Sequence, residues 1–134
     1  MQHNLEQIRA TNALRTASHS ESNARATKRH VSKLPAMILT NGLLGALAFA
    51  SERKAGTERK RPEMNAAAVG IAQHLADPRL QLPGLTSCRD ADSLLQALGK
   101  LQSLDLQRAT DEALAFLSYL KRFAVSPETD DVDE

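Results

Sequence analysis

The chain has no tryptophan, one tyrosine and three phenylalanines among its 134 residues. Valine and isoleucine are scarce too: Ile8, Val31, Ile38, Val69 and Ile71, joined late by Val125 and Val132. Strands recruit aromatic and β-branched side chains, so an all-β fold is excluded. Cys88 is the one cysteine. It can form no intrachain disulfide and no thiolate-rich zinc site, and a reducing compartment is expected. A phosphate-binding glycine loop is lacking as well. Asn41-Gly42-Leu43-Leu44-Gly45 carries neither the lysine of a P-loop nor the glycine spacing of a dinucleotide site.

Long apolar runs are limited to one, Leu34 to Ala50, and the residues before it are mostly polar. That run has no charge but contains Thr40, Asn41, Gly42 and Gly45, and it falls short of the ~20 residues a membrane-spanning helix wants. It reads as a buried helix of a soluble protein, and a cytoplasmic chain without a membrane partner or secretory leader is expected.

What the sequence does have is alanine and leucine, which favour helix. With 42% hydrophobic and 25% charged residues, the expectation is all-α: a single compact bundle of about five to six helices. Residues 1–126 are assigned to this domain. Residues 127–134 are assigned to a disordered acidic tail, since Pro127 is followed by Glu128, Asp130, Asp131, Asp133 and Glu134 without apolar spacing.

The net charge of +1 conceals an asymmetry. Met1 to Pro62 holds eleven Lys and Arg against four Glu, whereas Glu63 to Glu134 holds six against twelve acids. Without the tail the body is strongly basic and attracts polyanions.

From Asn4 to Val31 there is no Gly or Pro, and Leu5, Ile8, Ala10, Ala13, Ala17, Ala24 and Val31 form a thin apolar stripe. This predicts one long helix, weakly held because alanine buries little area. Its wet face carries Arg15, Ser18, Ser22, Arg25 and Arg29 at helical spacing, with Lys28 and Lys33 beside them. Lys33-Leu34-Pro35 predicts a turn. The following helix is apolar on nearly every side and is expected at the centre of the bundle. Gly42 and Gly45 suggest a close approach to its backbone, and Asn41 reads first as a buried tie to a neighbour.

A mobile basic loop follows, with Lys54, Gly56, Glu58, Arg59, Lys60 and Arg61. Pro62 opens a third helix that Asp77 and Pro78 end. Asp90 or Asp92 can cap a short fourth helix with inner residues Leu94, Leu95, Leu98 and Leu101. Ser103 or Asp105 can cap a fifth, with Leu106, Ala109, Ala113, Phe116, Leu117, Leu120 and Phe123 on its apolar face.

Catalytic constellations are missing. His3, His19 and His30 read as surface residues, and His74 reads as a helix-end partner of Asp77. Cys88 with His74 is the one conceivable nucleophile and base, and no local pattern supports it. No enzyme activity, metal or cofactor is expected. Binding remains. So few aromatics leave no platform for stacking bases, whereas Arg and Lys on a ridge grip phosphates regardless of sequence.

The order leucine-proline, aliphatic run, Thr-Asn-Gly-Leu, Ala-Phe is carried here by Leu34, Pro35, Thr40, Asn41, Gly42, Leu43 and Phe49. It resembles the signature of the small helical subunit of type III-B CRISPR RNA-guided effector (Cmr) complexes. The resemblance implies a subunit without its own active site, several copies of which stack as an inner filament along a backbone bearing the guide RNA. Cleavage would belong to the backbone subunits, and a large polymerase-like subunit would join the filament end. It also adds weight to phosphate contacts with guide and target RNA through Arg15, Arg25, Lys28, Arg29 and Lys33, and through Lys54, Arg59, Lys60 and Arg61. The acidic tail lies outside the signature and reads as an extension that competes with RNA for the basic face. The alternative is a helical protein-protein adaptor whose basic ridge binds an acidic partner.

Overall fold

The computed structural model describes residues 4–18, 26–56 and 58–124. These form five α-helices, α1 (Leu5–Ser18), α2 (Lys28–Ala50), α3 (Pro62–Leu75), α4 (Ala91–Leu98) and α5 (Ser103–Phe123), with a 3₁₀ turn at Pro78–Leu80. Arg25 and the acidic tail lie outside the described residues.

The all-α bundle agrees with the sequence reading, but the first boundaries differ. Helix is not continuous from Asn4 to Val31: Thr27 is extended (φ −100°, ψ 157°), and its side chain accepts from the His30 amide to cap α2. Nor does the chain turn at Pro35, which lies inside α2. The reason is packing. Val31, Leu34 and Ile38 are all buried and lie three and four residues apart, so one continuous helix keeps them on one face.

The bend comes instead at Gly42, where φ is +84° and ψ 162°. This backbone region is open essentially to glycine alone. A Cβ at Gly42 would meet nothing within 4 Å, and at Gly45 it would meet only Asn41 of the same helix. Close approach is therefore not what these glycines serve, and Asn41, expected as a buried tie, is exposed beside the kink.

The centre of the bundle is α3, which packs against α1, α2, α4 and α5. Its alanines and Gly70 let neighbours come near from several sides: Ala67, Ala68, Gly70, Ile71 and Ala72 are buried. At Gly70 the crossing helix is α1, whose Thr16 Cγ2 lies 2.4 Å from where a Cβ would sit. By length and composition α2 could cross a membrane, yet it packs on α3, α4 and α5 through Val31, Leu34, Ile38, Leu43 and Leu47. Its opposite side stays open, with Leu39 75% and Phe49 39% exposed. An apolar composition alone could not tell a central helix from one with an uncovered outer face.

The remaining elements follow their sequence signals. Pro62 occupies the first turn of α3. Asp90, rather than Asp92, caps α4 through a reciprocal box with Ser93. The exception is the start of α5, where Gln102 and not Ser103 or Asp105 stands at the cap, and it makes no side-chain bond. Ala109, Ala113, Phe116, Leu117 and Leu120 supply the buried face of α5, and Lys121 and Arg122 in its last turn complement the helix dipole.

Candidate functional site

Among the described cations expected to meet RNA, all but Arg15 fall into two sets at opposite ends of α2, which would span roughly 35 Å if straight at 1.5 Å per residue. At the N-terminal end, Lys28 is half-buried while Arg29 and Lys33 are exposed. The first turn of α2 contains no acid. Positive side chains there oppose the helix dipole instead of complementing it, which costs stability and concentrates positive potential at one end. Such an arrangement suits an anion better than it suits the fold. Arg15, exposed on α1, donates to Asn12 Oδ1 at 3.0 Å.

At the other end, residues 52–54 pair with residues 58–60. The Lys54 amide donates to the Glu58 carbonyl at 2.7 Å and the Lys60 amide to Glu52 at 2.9 Å, with Arg53 bridged to Arg59. Arg59, Lys60 and Arg61 are engaged within the protein. Arg61 donates to the Phe49 carbonyl (3.0 Å) and to Glu52 (2.8 Å), and its guanidinium lies 3.6 Å over the Phe49 ring. Lys60 pairs with Glu52 at 3.3 Å. Arg59 donates to the Ser51 carbonyl and reaches Asp92 at 3.5 Å. Arg59 and Arg61 thus satisfy carbonyls at the end of α2, a task every helix C-terminus must solve. Lys54 is exposed.

The signature residues divide between core and surface. Leu34 and Leu43 are buried, Pro35 is half-buried, and Thr40, Asn41 and Gly42 are exposed at the kink. Phe49 lies under Arg61.

A second polar group, not foreseen from the sequence, joins α1, α3 and α5. His74 is fully buried and stacks on Phe116 with ring centroids 4.6 Å apart. It is no helix-end partner of Asp77. Its Nδ1 lies 2.9 Å from Asn12 Nδ2 and its Nε2 lies 2.9 Å from Glu112 Oε2. Asn12 is oriented by Arg15, which donates to its oxygen, and by Asp77, which accepts from its nitrogen at 3.0 Å. An amide nitrogen only donates, so Nδ1 accepts and Nε2–H donates to Glu112. Arg9 closes the other side of Glu112 with two bonds of 2.7 and 2.8 Å. Asp77 is held by Arg79 at 2.7 Å.

Burial pushes the Glu112 carboxyl up, but the hydrogen bonds from Arg9 and His74 outweigh it and hold the group at about 2. Asp77 is likewise held well below the usual carboxylate range, first by the hydrogen bond from Arg79. The hub could have been suspected from register alone. Asn12 falls four residues after Ile8, and Glu112 lies between Ala109 and Phe116 on the apolar face of α5.

His74 does not serve Cys88 as a base, because both ring nitrogens are taken by Asn12 and Glu112. The Cys88 thiol is pushed up by burial and then by Asp90, which makes it a poorer nucleophile. Its sulfur reaches the Ser93 carbonyl at 3.8 Å. Among the described residues, no cluster of three or more His, Cys, Asp or Glu could hold a metal ion.

Two of the comparisons with known proteins point to one family. A search of curated proteins found no match. Among solved structures, the chain is similar to a CRISPR-associated Cmr5 family protein from Thermus thermophilus, with a TM-score of 0.64 and 26% identity. The match covers 90% of this chain and 95% of that one. The family model described as CRISPR-associated protein (Cas_Cmr5) matches residues 5–127. With nearly the whole chain matched by the family model and the helical bundle shared with a solved member, the chain belongs to the Cmr5 family of CRISPR-associated proteins.

Proposed function

We propose that this protein is a non-catalytic small subunit of a cytoplasmic type III-B ribonucleoprotein effector, and that copies of it stack as an inner filament beside guide and target RNA. Membership of the Cmr5 family implies a multi-subunit complex. The finer reading rests on the basic first turns of α2. Lys28, Arg29 and Lys33 crowd the positive end of a helix whose first turn holds no acid. Contacts from these residues go to phosphates and carry no sequence preference. Lys54 can add to them, whereas Arg59, Lys60 and Arg61 contribute less because Glu52 and Asp92 already neutralise them. Residues 1–126 form the folded subunit in this reading, and 127–134 a separate acidic extension.

The uncovered outer side of α2 supports the assembly half of the proposal. Leu39 is 75% exposed beside Thr40, Asn41 and Gly42, and in this reading a neighbouring subunit covers it. This face serves contacts with backbone subunits, the large polymerase-like subunit and further copies, and it also keeps the adaptor reading in play.

Titration of a short RNA duplex at several salt concentrations tests the RNA half. Binding of the intact protein should fall steeply with salt, and Lys28→Gln with Lys33→Gln should flatten the slope by about one to two units, each phosphate contact being worth ~0.7–0.9. A slope unchanged in that variant would remove the α2 terminus from the interface. Failure of the parent protein to bind at low salt would favour the adaptor.

A further inference from the structure

The polar hub divides along the boundary of α1. On the far side, Glu112 keeps His74 at 2.9 Å and Asp77 keeps Arg79 at 2.7 Å, and all four belong to α3, α5 or the 3₁₀ turn that follows α3 and its cap. On the near side, Arg15 and Asn12 are bonded to each other within α1. Three side-chain connections of the hub cross between them: Arg9 to Glu112, Asn12 to His74 and Asn12 to Asp77.

The apolar hold on α1 is slight. Its buried residues are Ile8, Asn12, Ala13, Thr16 and Ala17, so Ile8 is the one large aliphatic among them. By contrast, α5 buries Phe116, Leu117 and Leu120. The crossing at Gly70 adds close contact but little apolar area. Arg9, the strongest connection, is at the water edge with its side chain 25% exposed.

We infer that α1 is a clasped helix: it opens from the body formed by α2 to α5 as a unit, and the Arg9–Glu112 contact sets how often it does so. Opening leaves every acid of the hub with a partner. Glu112 retains His74, Asp77 retains Arg79, and the guanidinium released from Glu112 is already partly in water. Of the groups packed around the clasp, the charged or titratable ones are Arg9 and Arg15 on α1, His74, Asp77 and Arg79 on the α3 side, and Glu112 and Tyr119 on α5. The opening is a property of the isolated chain and its argument does not use RNA.

Native-state hydrogen exchange of the full chain, read by mass spectrometry, tests it. Amides of α1 should exchange at least about tenfold faster than the slowest amides of α5, because sub-global openings are separate from global unfolding. Arg9→Met and Ile8→Ala should each speed α1 and the slowest α5 amides alike by ~10-fold, because both weaken the closed state against the opened and the unfolded ones, whereas Ile38→Val, buried in the body, should speed α5 about 2- to 10-fold and leave α1 unchanged. Exchange of α1 and α5 at a common rate would overturn the inference. So would Ile38→Val accelerating α1 together with α5, or Arg9→Met leaving α1 at its parent rate.

Discussion

Glu112 is the residue on which the three-helix hub turns. It is buried, it accepts from Arg9 and from His74, and it keeps its charge because those donors outweigh the desolvation that opposes it. Its carboxyl is held below the ordinary value of 4.5, at about 2. A depressed carboxyl contributes stability that is complete above its unfolded value and is lost as the pH falls toward its folded one. Chemical denaturation across this range should therefore show stability falling with acid, and Glu112→Gln should show a shallower fall from a lower start. At neutral pH the substitution should cost about 2 kcal/mol, the usual worth of hydrogen bonds to a charged group. Equal stability of the two proteins at neutral pH would mean that the pair is not worth its burial.

Two glycines at the same scale separate two kinds of need. At Gly42 the space is free and the backbone is not, so Gly42→Ala should destabilise by about 1–3 kcal/mol through strain alone. The denaturation midpoint reports this, and an unchanged midpoint would show that the kink is absent in solution.

At the scale of elements, Gly70 shows how α1 is seated. Thr16 Cγ2 and Oγ1 lie 2.4 and 2.8 Å from a Cβ built there. Gly70→Ala should cost about 1–3 kcal/mol as overpacking, and Thr16→Ala should recover part of it, giving a measurable coupling between the two sites. Additive effects would place the helices farther apart than the structure does.

Elements are also where the sequence was most and least informative. The fifth helix was legible because seven apolar residues repeat at helical spacing, and the third because proline marks both of its ends. The break before Lys28 was not legible. Nothing between Asn4 and Val31 forbids helix, and only the Thr27 side chain, accepting from the His30 amide, shows where a new one starts. Pro35 misled in the opposite sense, since the buried face of Val31, Leu34 and Ile38 overrides its local preference. Register marks Asn12 and Glu112 as inward-facing, but the pairing within the polar hub was not legible because its members are far apart in sequence: Arg9 meets Glu112 across 103 positions.

For the whole molecule, the charge asymmetry read from the sequence is only partly available at the surface. The basic turn after α2 satisfies its own acids and carbonyls, so the balance of positive charge shifts toward the other end of the helix. The family implies a multi-subunit assembly, and α2 has a buried side that builds the bundle and an exposed side carrying Leu39, which the proposal assigns to neighbours. The proposal gives the basic first turn to RNA. Lysine acetylation footprinting of the assembled complex, with and without nuclease treatment, tests this most directly. Lys28 and Lys33 should be protected several-fold by RNA and regain reactivity when it is digested, while Lys100 and Lys121 stay reactive throughout. Equal labelling of Lys28 and Lys33 with and without RNA would contradict the account.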